Sequence, residues 1–373
     1  MLRRASYWGP NAPATADAPR DAVSCRARVR YPLAVPAILR LLAALLLHAS
    51  VTVRAEASCD VPPSRVKDLL ALGETLFSDK ALSRDGTASC ATCHRPERGF
   101  TDGRSTAVGA GGLSGTRNTP TLLDAAAASA LFWDGRRVDL VSLMLDPLLN
   151  SREHGLRDEA ELEAILAERE TYRGAFARVF PSAEGIDASC AALALARFVE
   201  TLRSRQSEFE RYAYGGEQDA LTPEQVAGLE LFRGRAGCTA CHTIGTASAT
   251  LTNQSFHNHG VGAERLMELG PAISRADGVA KAQLGELIQS DANVAALGRY
   301  LVTGQPSDIG AFRTPSLKNV ELTGPYMHDG SVATLDEAVR RELYYSAKDR
   351  GDGFSDEERA SLVAFLRALT SEP

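Results

Sequence analysis

The sequence predicts a mainly α fold in which two similar domains follow one another along the chain. Stretches with apolar residues at helical spacing are frequent, whereas strand signals are scarce. A short apolar pattern occurs twice, as Leu-Gly-Glu-Thr-Leu-Phe at positions 72–77 and as Gly-Leu-Glu-Leu-Phe at positions 228–232. A Cys-x-x-Cys-His pentapeptide follows each copy. Two copies of one supersecondary unit indicate duplicated domains.

The first 55 residues differ in composition from the rest of the chain. They contain eight arginines, two acidic residues and one apolar run at positions 41–47. A basic segment before a short apolar run is typical of a secretory signal peptide, and this run is too short to span a membrane. We therefore expect residues 1–55 to be a cleaved signal peptide. Without them, 33 of the 41 basic and 45 of the 47 acidic residues remain, so the net charge is near −12. That charge disfavours nucleic acid and anionic membranes and favours a basic redox partner.

Helical patterns in the first half follow the first copy of the repeat. They cover residues 138–145, 158–169 and 188–205. Between positions 99 and 121 the chain is rich in Gly, Ser and Thr and has neither a helical nor a strand period. We expect a long ordered loop there, of the kind that tends to line a functional site.

The helices of the second half have clear starts. Thr222, Pro223 and Gln225 form the N-cap, first turn and N3 position of the helix that contains the second copy. The last helix starts with a capping box of Ser355 and Glu358, and its apolar residues then recur at helical spacing. We place the domain boundary between about 205 and 220, which gives domains of residues 56–210 and 211–373.

The two pentapeptides, at positions 90–94 and 238–242, are the signature of covalently attached c-type haem. In each, two thiols bind the haem as thioethers and the histidine is placed to ligate the iron. A zinc site would place its second cysteine pair roughly 15–20 residues on, whereas these pairs lie 148 residues apart. A redox-active pair would not need the histidine. We therefore expect two cytochrome-c-like haem domains with long ordered loops. The attachment residues are Cys90, Cys93, His94, Cys238, Cys241 and His242.

Two further cysteines, Cys59 and Cys190, follow the predicted signal peptide. Haem c is attached outside the cytoplasm in bacteria, so we expect the mature protein in the periplasm. In an oxidising compartment the two cysteines could pair, or they could remain free thiols, and the sequence leaves both alternatives open.

From about residue 65 to 370, the chain resembles the bacterial di-haem cytochrome c peroxidases and their MauG-like relatives. Five phrases carry the resemblance, in order and with similar spacing. They are Leu-Ser-Arg-Asp-Gly-Thr at 82–87, Arg-Asn-Thr-Pro-Thr at 117–121, Phe-Trp-Asp-Gly-Arg at 132–136, Phe-Arg-Thr-Pro-Ser-Leu-Lys-Asn at 312–319 and Leu-Thr-Gly-Pro-Tyr-Met-His-Asp-Gly at 322–330. The resemblance implies a peroxidatic N-terminal haem domain and an electron-transferring C-terminal one.

The resemblance also implies site residues. The family's catalytic acid lies about twenty residues after the tryptophan of Phe-Trp-Asp-Gly-Arg, which gives Glu153 after Trp133. Peroxide must lose a proton from one oxygen and gain one on the other, and a single carboxylate can make both transfers. Trp133 would relay electrons between the haems. Asn118, with the carbonyls of Thr323 and Pro325, matches an inter-haem calcium site, since neutral oxygen ligands completed by water suit Ca²⁺.

The chain departs from the peroxidase pattern at two positions. Classical members have a histidine near the position of Ala110 that blocks the first haem, but no histidine occurs between His94 and His154. We therefore expect the first haem to be open without prior reduction, as in MauG-like enzymes.

The sixth ligand of the second haem is the other departure. In the peroxidases it is a Met about seventeen residues after the Pro-Tyr motif, and in MauG it is a Tyr. Counting from Pro325 gives Glu342, with Tyr344 and Tyr345 just beyond. We expect Tyr344 or Tyr345 to be the ligand, with Glu342 as the alternative. His257 and His259 resemble the family's loop after the second haem rather than a third metal site.

Three functions follow from these patterns. The leading one is a periplasmic peroxidase that reduces hydrogen peroxide to water with electrons from a small cytochrome c or cupredoxin. The first alternative is a MauG-like enzyme that uses oxidising equivalents from peroxide to oxidise a partner protein. The second is a non-catalytic electron-transfer cytochrome, against which Glu153 argues. The family resemblance is also compatible with a homodimer.

Overall fold

The structure, a computed structural model, describes residues 59–262, 268–346 and 353–371. The predicted signal peptide lies outside these residues. The described residues belong to one compact unit. It is mainly helical, as predicted, and its strands are two short antiparallel segments, β1 (Phe256–His257) and β2 (Phe312–Arg313).

Six α-helices form between residues 59 and 200. They are α1 (Val66–Ser78), α2 (Cys90–Cys93), α3 (Leu140–Leu149), α4 (Glu159–Ala167), α5 (Glu170–Val179) and α6 (Ala188–Val199). Their buried apolar faces form one hydrophobic cluster, in which Leu76, Leu162 and Leu166 are fully buried. The chain from 95 to 139 is long and mostly non-helical, in agreement with the loop predicted from its composition.

Helix α6 ends six residues earlier than its apolar pattern predicts. The pattern continues to residue 205, but the helix stops at Val199. The Leu202 carbonyl accepts a hydrogen bond from the Asp124 N–H at 2.9 Å. The backbone therefore leaves the helical path to form a hydrogen bond with a distant loop. The local apolar pattern contains no sign of that contact.

Eight α-helices follow residue 207 in the part of the chain that the structure describes. They are α7 (Glu208–Tyr214), α8 (Pro223–Arg233), α9 (Leu269–Asp277), α10 (Leu284–Ser290), α11 (Ala292–Ala295), α12 (Tyr300–Thr303), α13 (Leu335–Ser346) and α14 (Asp356–Arg367). Both predicted capping boxes are present, at Thr222 and Ser355. A second cluster gathers the apolar faces of α7, α8, α13 and α14. A third, smaller cluster holds α9, α10 and α11 together around Ile288 and Val294.

The sequence repeat is a repeat in packing as well. Helix α1 crosses α6 and α8 crosses α14, each with a glycine at the contact. A Cβ on Gly73 would lie 2.1 Å from the Ala194 carbonyl oxygen, and one on Gly228 would lie 1.9 Å from that of Ser361. One turn further on, Phe77 contacts Phe198 with ring centroids 5.2 Å apart, and Phe232 contacts Phe365 at 5.1 Å. The glycines therefore let both helix pairs approach closely enough for these phenylalanines to pack.

Candidate haem and peroxide site

The first four residues of the first pentapeptide form the short helix α2, with Ser89 as its N-cap and His94 as its C-cap. The side chain of Thr92 accepts a hydrogen bond from the Ser89 N–H at 2.9 Å, which closes a capping box. The N–H of His94 bonds to the Cys90 carbonyl at 2.8 Å, and the ring Nδ1 lies 2.9 Å from the Phe100 carbonyl oxygen. A carbonyl only accepts, so Nδ1 carries the proton and Nε2 is left as a metal ligand.

The second pentapeptide repeats this arrangement on a 3₁₀ turn, Cys238–Ala240. The His242 N–H bonds to the Cys238 carbonyl, and its Nδ1 lies 2.9 Å from the Leu251 carbonyl oxygen. In both copies the ring centroid of the histidine lies 6.5 Å from that of the repeated phenylalanine, Phe77 or Phe232. The two histidines are therefore fixed in the same way, with Nδ1 bonded to a backbone carbonyl and Nε2 left as the possible metal ligand.

Both pentapeptides open onto one cavity of about 660 Å³. Its lining includes the cysteines and histidine of each motif, together with Trp133 and Glu153. The cysteines and histidines of both motifs are half-buried. Burial raises the pKa of the Cys90, Cys93 and Cys238 thiols to about 12. The three cysteines therefore sit in a desolvated, largely apolar setting.

Arg117 tests whether these residues fit haem. Its side chain is only 6% exposed, and its Nε and Nη1 donors have no hydrogen-bond partner among the described residues. Burial lowers its pKa to about 10. Its Nη2 donates to the Ala295 carbonyl at 2.6 Å, and Arg117 also lines the cavity. A buried cation with unpaired donors needs acceptors, and the propionates of a haem would supply them. The donor set thus fits the group.

Glu153 lies in the turn that follows α3. Its Oε1 accepts a hydrogen bond from the Gln289 side-chain amide at 3.0 Å. Burial raises the pKa of Glu153, while the nearby Arg136 guanidinium and the Gln289 amide oppose that rise. A carboxyl with a raised pKa that faces a cavity is equipped to accept and return a proton.

The neighbouring histidine has a different environment. His154 is buried, with Nδ1 2.7 Å from the Leu82 carbonyl oxygen and Nε2 3.8 Å from the Cys90 sulfur. Burial lowers its pKa. Both ring nitrogens are thus occupied by contacts that fix the Glu153 turn against the first motif.

Trp133 is held in a tight turn. Phe132 and Gly135 have φ of 63° and 72°, in the left-handed region, and a Cβ on Gly135 would lie 2.4 Å from the Phe256 ring. The indole N–H donates to the Asn118 carbonyl at 2.9 Å. The buried carboxylate of Asp134 forms an ion pair with Arg136 at 2.9 Å, which closes the turn. Trp133 consequently lines the same cavity as both haem motifs in a fixed position.

The loop around Ala110 packs directly on the Glu153 turn. Ala110 is fully buried, and its N–H donates to the Glu153 carbonyl at 2.7 Å. Its own carbonyl accepts from Arg84 at 3.2 Å. A Cβ on Gly109 would lie 2.2 Å from the Arg152 carbonyl oxygen. The loop is therefore anchored with the methyl group of Ala110 at the position where the classical peroxidases have a histidine.

Glu342, rather than a tyrosine, faces the cavity beside the second motif. Glu342 lines the cavity, and its Oε2 accepts from His259 Nδ1 at 2.6 Å. Tyr344 is 68% exposed, and neither it nor Tyr345 belongs to the cavity lining. The tyrosine ligand stays a prediction, and Glu342, the alternative, is the residue that lines the cavity. The α-helix runs through Ser346, so Tyr344, two positions beyond Glu342, lies on a different face. Tyr345 packs beside Gly260, where an added Cβ would lie 2.6 Å from its ring. His257, His259 and Met327 also line it.

The predicted calcium ligands Asn118, Thr323 and Pro325 line this cavity together. The Asn118 amide nitrogen donates to the Arg104 carbonyl at 2.8 Å, which turns its side-chain oxygen away from that contact. Calcium binding itself stays a prediction.

Three features of this site could not be predicted from the sequence. Gln289 contacts Glu153 across 136 residues of sequence, and His259 contacts Glu342 across 83. The unpaired donors of Arg117 are the third. Arg117 lies in the Arg-Asn-Thr-Pro-Thr phrase, so the family resemblance could have marked it as a site residue. Gln289 lies on a helix without any sequence motif that would mark it as a site residue.

Outside the cavity, Cys59 and Cys190 form a disulfide, which settles the alternative that the sequence leaves open. Within the described residues, no helix is both long and apolar enough to cross a membrane.

Comparison with known proteins defines the class. A family model for di-haem cytochrome c peroxidase matches residues 67–219. The methylamine utilization protein MauG of Methylorubrum extorquens is 34% identical over 97% of this chain and 89% of its own length. Cytochrome c551 peroxidase of Nitrosomonas europaea is 33% identical over 82% of this chain and 80% of its own.

Solved structures agree with this class. A MauG-like protein associated with microbial copper homeostasis is 32% identical, with a TM-score of 0.65 over 82% of this chain and 90% of that one. The diheme peroxidase BthA of Burkholderia thailandensis shares the fold, with a TM-score of 0.64.

The chain therefore belongs to the di-haem cytochrome c peroxidase and MauG family, and it is an oxidoreductase of that family. Membership implies two haems, as the two pentapeptides predict. Its relatives at about the same identity carry both peroxidase and MauG names, so the reaction has to be inferred from this chain's own residues.

Proposed function

We propose that this oxidoreductase is a periplasmic peroxidase that reduces hydrogen peroxide to two molecules of water. Two protons and two electrons balance the reaction, and the electrons come from a small cytochrome c or cupredoxin. The observation that carries the proposal is Glu153, a carboxyl of raised pKa that lines the same cavity as the first haem motif. A purely electron-transferring cytochrome has no use for such a group.

Haem c would be held at each motif by its two cysteines and by Nε2 of its histidine. When bound, it supplies a redox-active iron at which peroxide can be reduced. Arg117 would pair with propionates through the donors that lack partners among the described residues. The two domains of the proposal, residues 56–210 and 211–373, each contribute one motif.

Glu153 handles the protons in this proposal. As a carboxylate it removes the proton from one peroxide oxygen, and as the acid it returns that proton to the other oxygen, so that water leaves. One of its oxygens is already engaged by Gln289 at 3.0 Å, which leaves the second to carry the proton. Arg136 favours the charged form and so keeps the group able to accept a proton.

Trp133 connects the two sites in the proposal. Its indole is fixed by the Asn118 carbonyl and lines the cavity that both motifs share. An oxidisable ring at that position divides one long electron-transfer distance into two shorter ones. Glu342 would hold the second haem together with His242 in this proposal, because it lines the cavity at the position that counting from Pro325 predicts.

Two further features support the remaining parts of the proposal. The Cys59–Cys190 disulfide is typical of an oxidising compartment, which favours export to the periplasm. The shared position of Asn118, Thr323 and Pro325 on the cavity wall supports one calcium ion between the haem sites.

A MauG-like oxidation of a partner protein is the second candidate. Its support is the methyl group of Ala110 where a blocking histidine would stand, together with a carboxylate at the second site. Both features favour an enzyme that accepts peroxide before it receives any electron.

Steady-state turnover separates the two candidates. Peroxide consumption would be measured with a reduced small cytochrome c or a reduced cupredoxin as the electron donor. Stoichiometric oxidation of two donor molecules per peroxide supports the peroxidase. Peroxide consumption without donor oxidation, accompanied by oxidised residues in an added protein, would instead support the second candidate.

A further inference from the structure

A helix remote in sequence fastens the turn that carries Glu153. Ser151 donates through its N–H to Glu286 at 3.0 Å, and the Asn150 amide donates to the Gly285 carbonyl at 3.3 Å. Both acceptors belong to α10, which is anchored from behind by fully buried Ile288. The turn after α3 is therefore held by α10 at three points, of which the third is the contact between Gln289 and Glu153.

The orientation of the Gln289 amide is determined by its neighbours. Its Oε1 lies 3.2 Å from the Thr116 nitrogen, which can only donate. The amide must therefore direct its Nε2 towards Glu153, where it donates to Oε1 at 3.0 Å. The Thr116 hydroxyl in turn donates to the Ile288 carbonyl at 2.6 Å, which fixes the loop to α10.

Gly115 leaves the space that this amide occupies. A Cβ at position 115 would lie 2.5 Å from Gln289 Oε1, so any larger residue there would displace the side chain. Gln289 itself is only 9% exposed. A buried amide with its acceptor and donor both satisfied, one of them by the proton-handling carboxylate, is rigidly placed.

We propose that Gln289 is a positioning residue for peroxide reduction, which holds one oxygen of Glu153 and stabilises its charged form. The inference rests on the proposed role of Glu153. Gln289 lines the same cavity as Glu153, and in this proposal it acts through the carboxylate. The helix α10 thereby couples the third hydrophobic cluster to the geometry of the first haem site.

The sign of the effect follows from the groups around Glu153. Burial raises its pKa, and nearby Asp146 and Glu286 add to that rise, whereas Arg136 and the Gln289 amide lower it. Removing the amide donor removes one of the two lowering influences. The pKa of Glu153 should then rise further, so the pH below which the carboxylate is lost moves upwards.

The test replaces Gln289 by methionine, which keeps the length of the side chain and removes the donor. Two quantities are followed against pH in the haem-loaded protein. One is kcat/KM for peroxide. The other is the infrared carbonyl band of protonated Glu153, identified by its loss in Glu153→Gln. Because the variant loses a hydrogen bond to the carboxylate, the pH midpoints of both the kcat/KM profile and the infrared titration should shift upwards by roughly one pH unit. Gln283→Met, the same change at an exposed position before α10, should shift neither.

An unshifted infrared titration in Gln289→Met would overturn the inference, as would a rate loss that is equal at every pH. Gln289→Glu serves as a second variant if the methionine protein does not fold. Two carboxyls in contact cannot both ionise readily, so the titration of Glu153 in Gln289→Glu should move upwards at least as far as in Gln289→Met. If the wild-type protein shows no peroxide turnover, the proposed function fails, while the infrared titration still decides the role of Gln289.

Discussion

Glu153 shows how single contacts set the chemistry of this family member. The carboxyl sits in a turn where burial favours its neutral form and Arg136 favours its charged form. Its spacing from Trp133 could be read from the sequence, and so could the need for a proton-transferring group. Its contacts could not, because Gln289 and Arg136 reach it through the tertiary fold.

Replacing Glu153 by glutamine should leave both haems attached and reduce peroxide turnover by about 10²–10⁴-fold. Glutamine keeps the size of the side chain but cannot exchange the proton. In the wild type, kcat/KM should fall as the pH drops through the raised pKa of Glu153, and this limb should disappear in the variant. Stopped-flow kinetics across pH measure both effects. Glu168→Gln, the same change on an exposed residue, is the control, and full activity of Glu153→Gln would exclude the carboxylate from the mechanism.

The ligand at the second site gives another residue-scale prediction. Glu342→Gln should change the low-spin electron paramagnetic resonance and visible spectra of the His242 haem, because a neutral amide is a poorer ligand than a carboxylate. Tyr344→Phe should leave both spectra unchanged, since that ring is exposed. The opposite pattern, with Tyr344→Phe or Tyr345→Phe altering the spectra and Glu342→Gln not, would restore the tyrosine expected from the sequence.

Among the elements, the paired helix crossings explain why the internal repeat is visible in the sequence. A glycine and a phenylalanine four residues apart recur in α1 and α8 because both crossings need the same close approach. Helix starts were predictable from local caps, as at Thr222 and Ser355. The end of α6 was not, because a carbonyl two residues beyond its C-cap bonds to a distant loop.

The crossings predict opposite effects for two glycine-to-alanine changes. Gly228→Ala should lower the free energy of unfolding by about 1–3 kcal/mol or more, because the added methyl would collide with the Ser361 backbone. Gly174→Ala, on the exposed face of α5 where nothing closer than 3.7 Å would be met, should raise it by up to ~1 kcal/mol. Denaturant unfolding of the two haem-loaded variants measures both. Equal stabilities would argue against the tight crossing.

At the scale of the whole molecule, the two repeated units contribute to one cavity. Each unit brings a histidine with its Nδ1 bonded to a backbone carbonyl, and the loops between them bring Trp133, Arg117 and Glu153 to the same space. The repeat and the mainly helical class were predictable from motif spacing. The shared cavity was implied only by resemblance, because neither motif specifies how the units meet.

The central claim is that the first haem site accepts peroxide in the oxidised protein, with Ala110 in place of a blocking histidine and Glu153 ready to take a proton. The most direct measurement mixes the fully oxidised, haem-loaded protein with one equivalent of hydrogen peroxide and records its visible spectrum over milliseconds, without any reductant. We expect an immediate change in the haem bands, and we expect Glu153→Gln to slow it strongly. A spectrum that stays unchanged until the protein has first been reduced by one electron would contradict it.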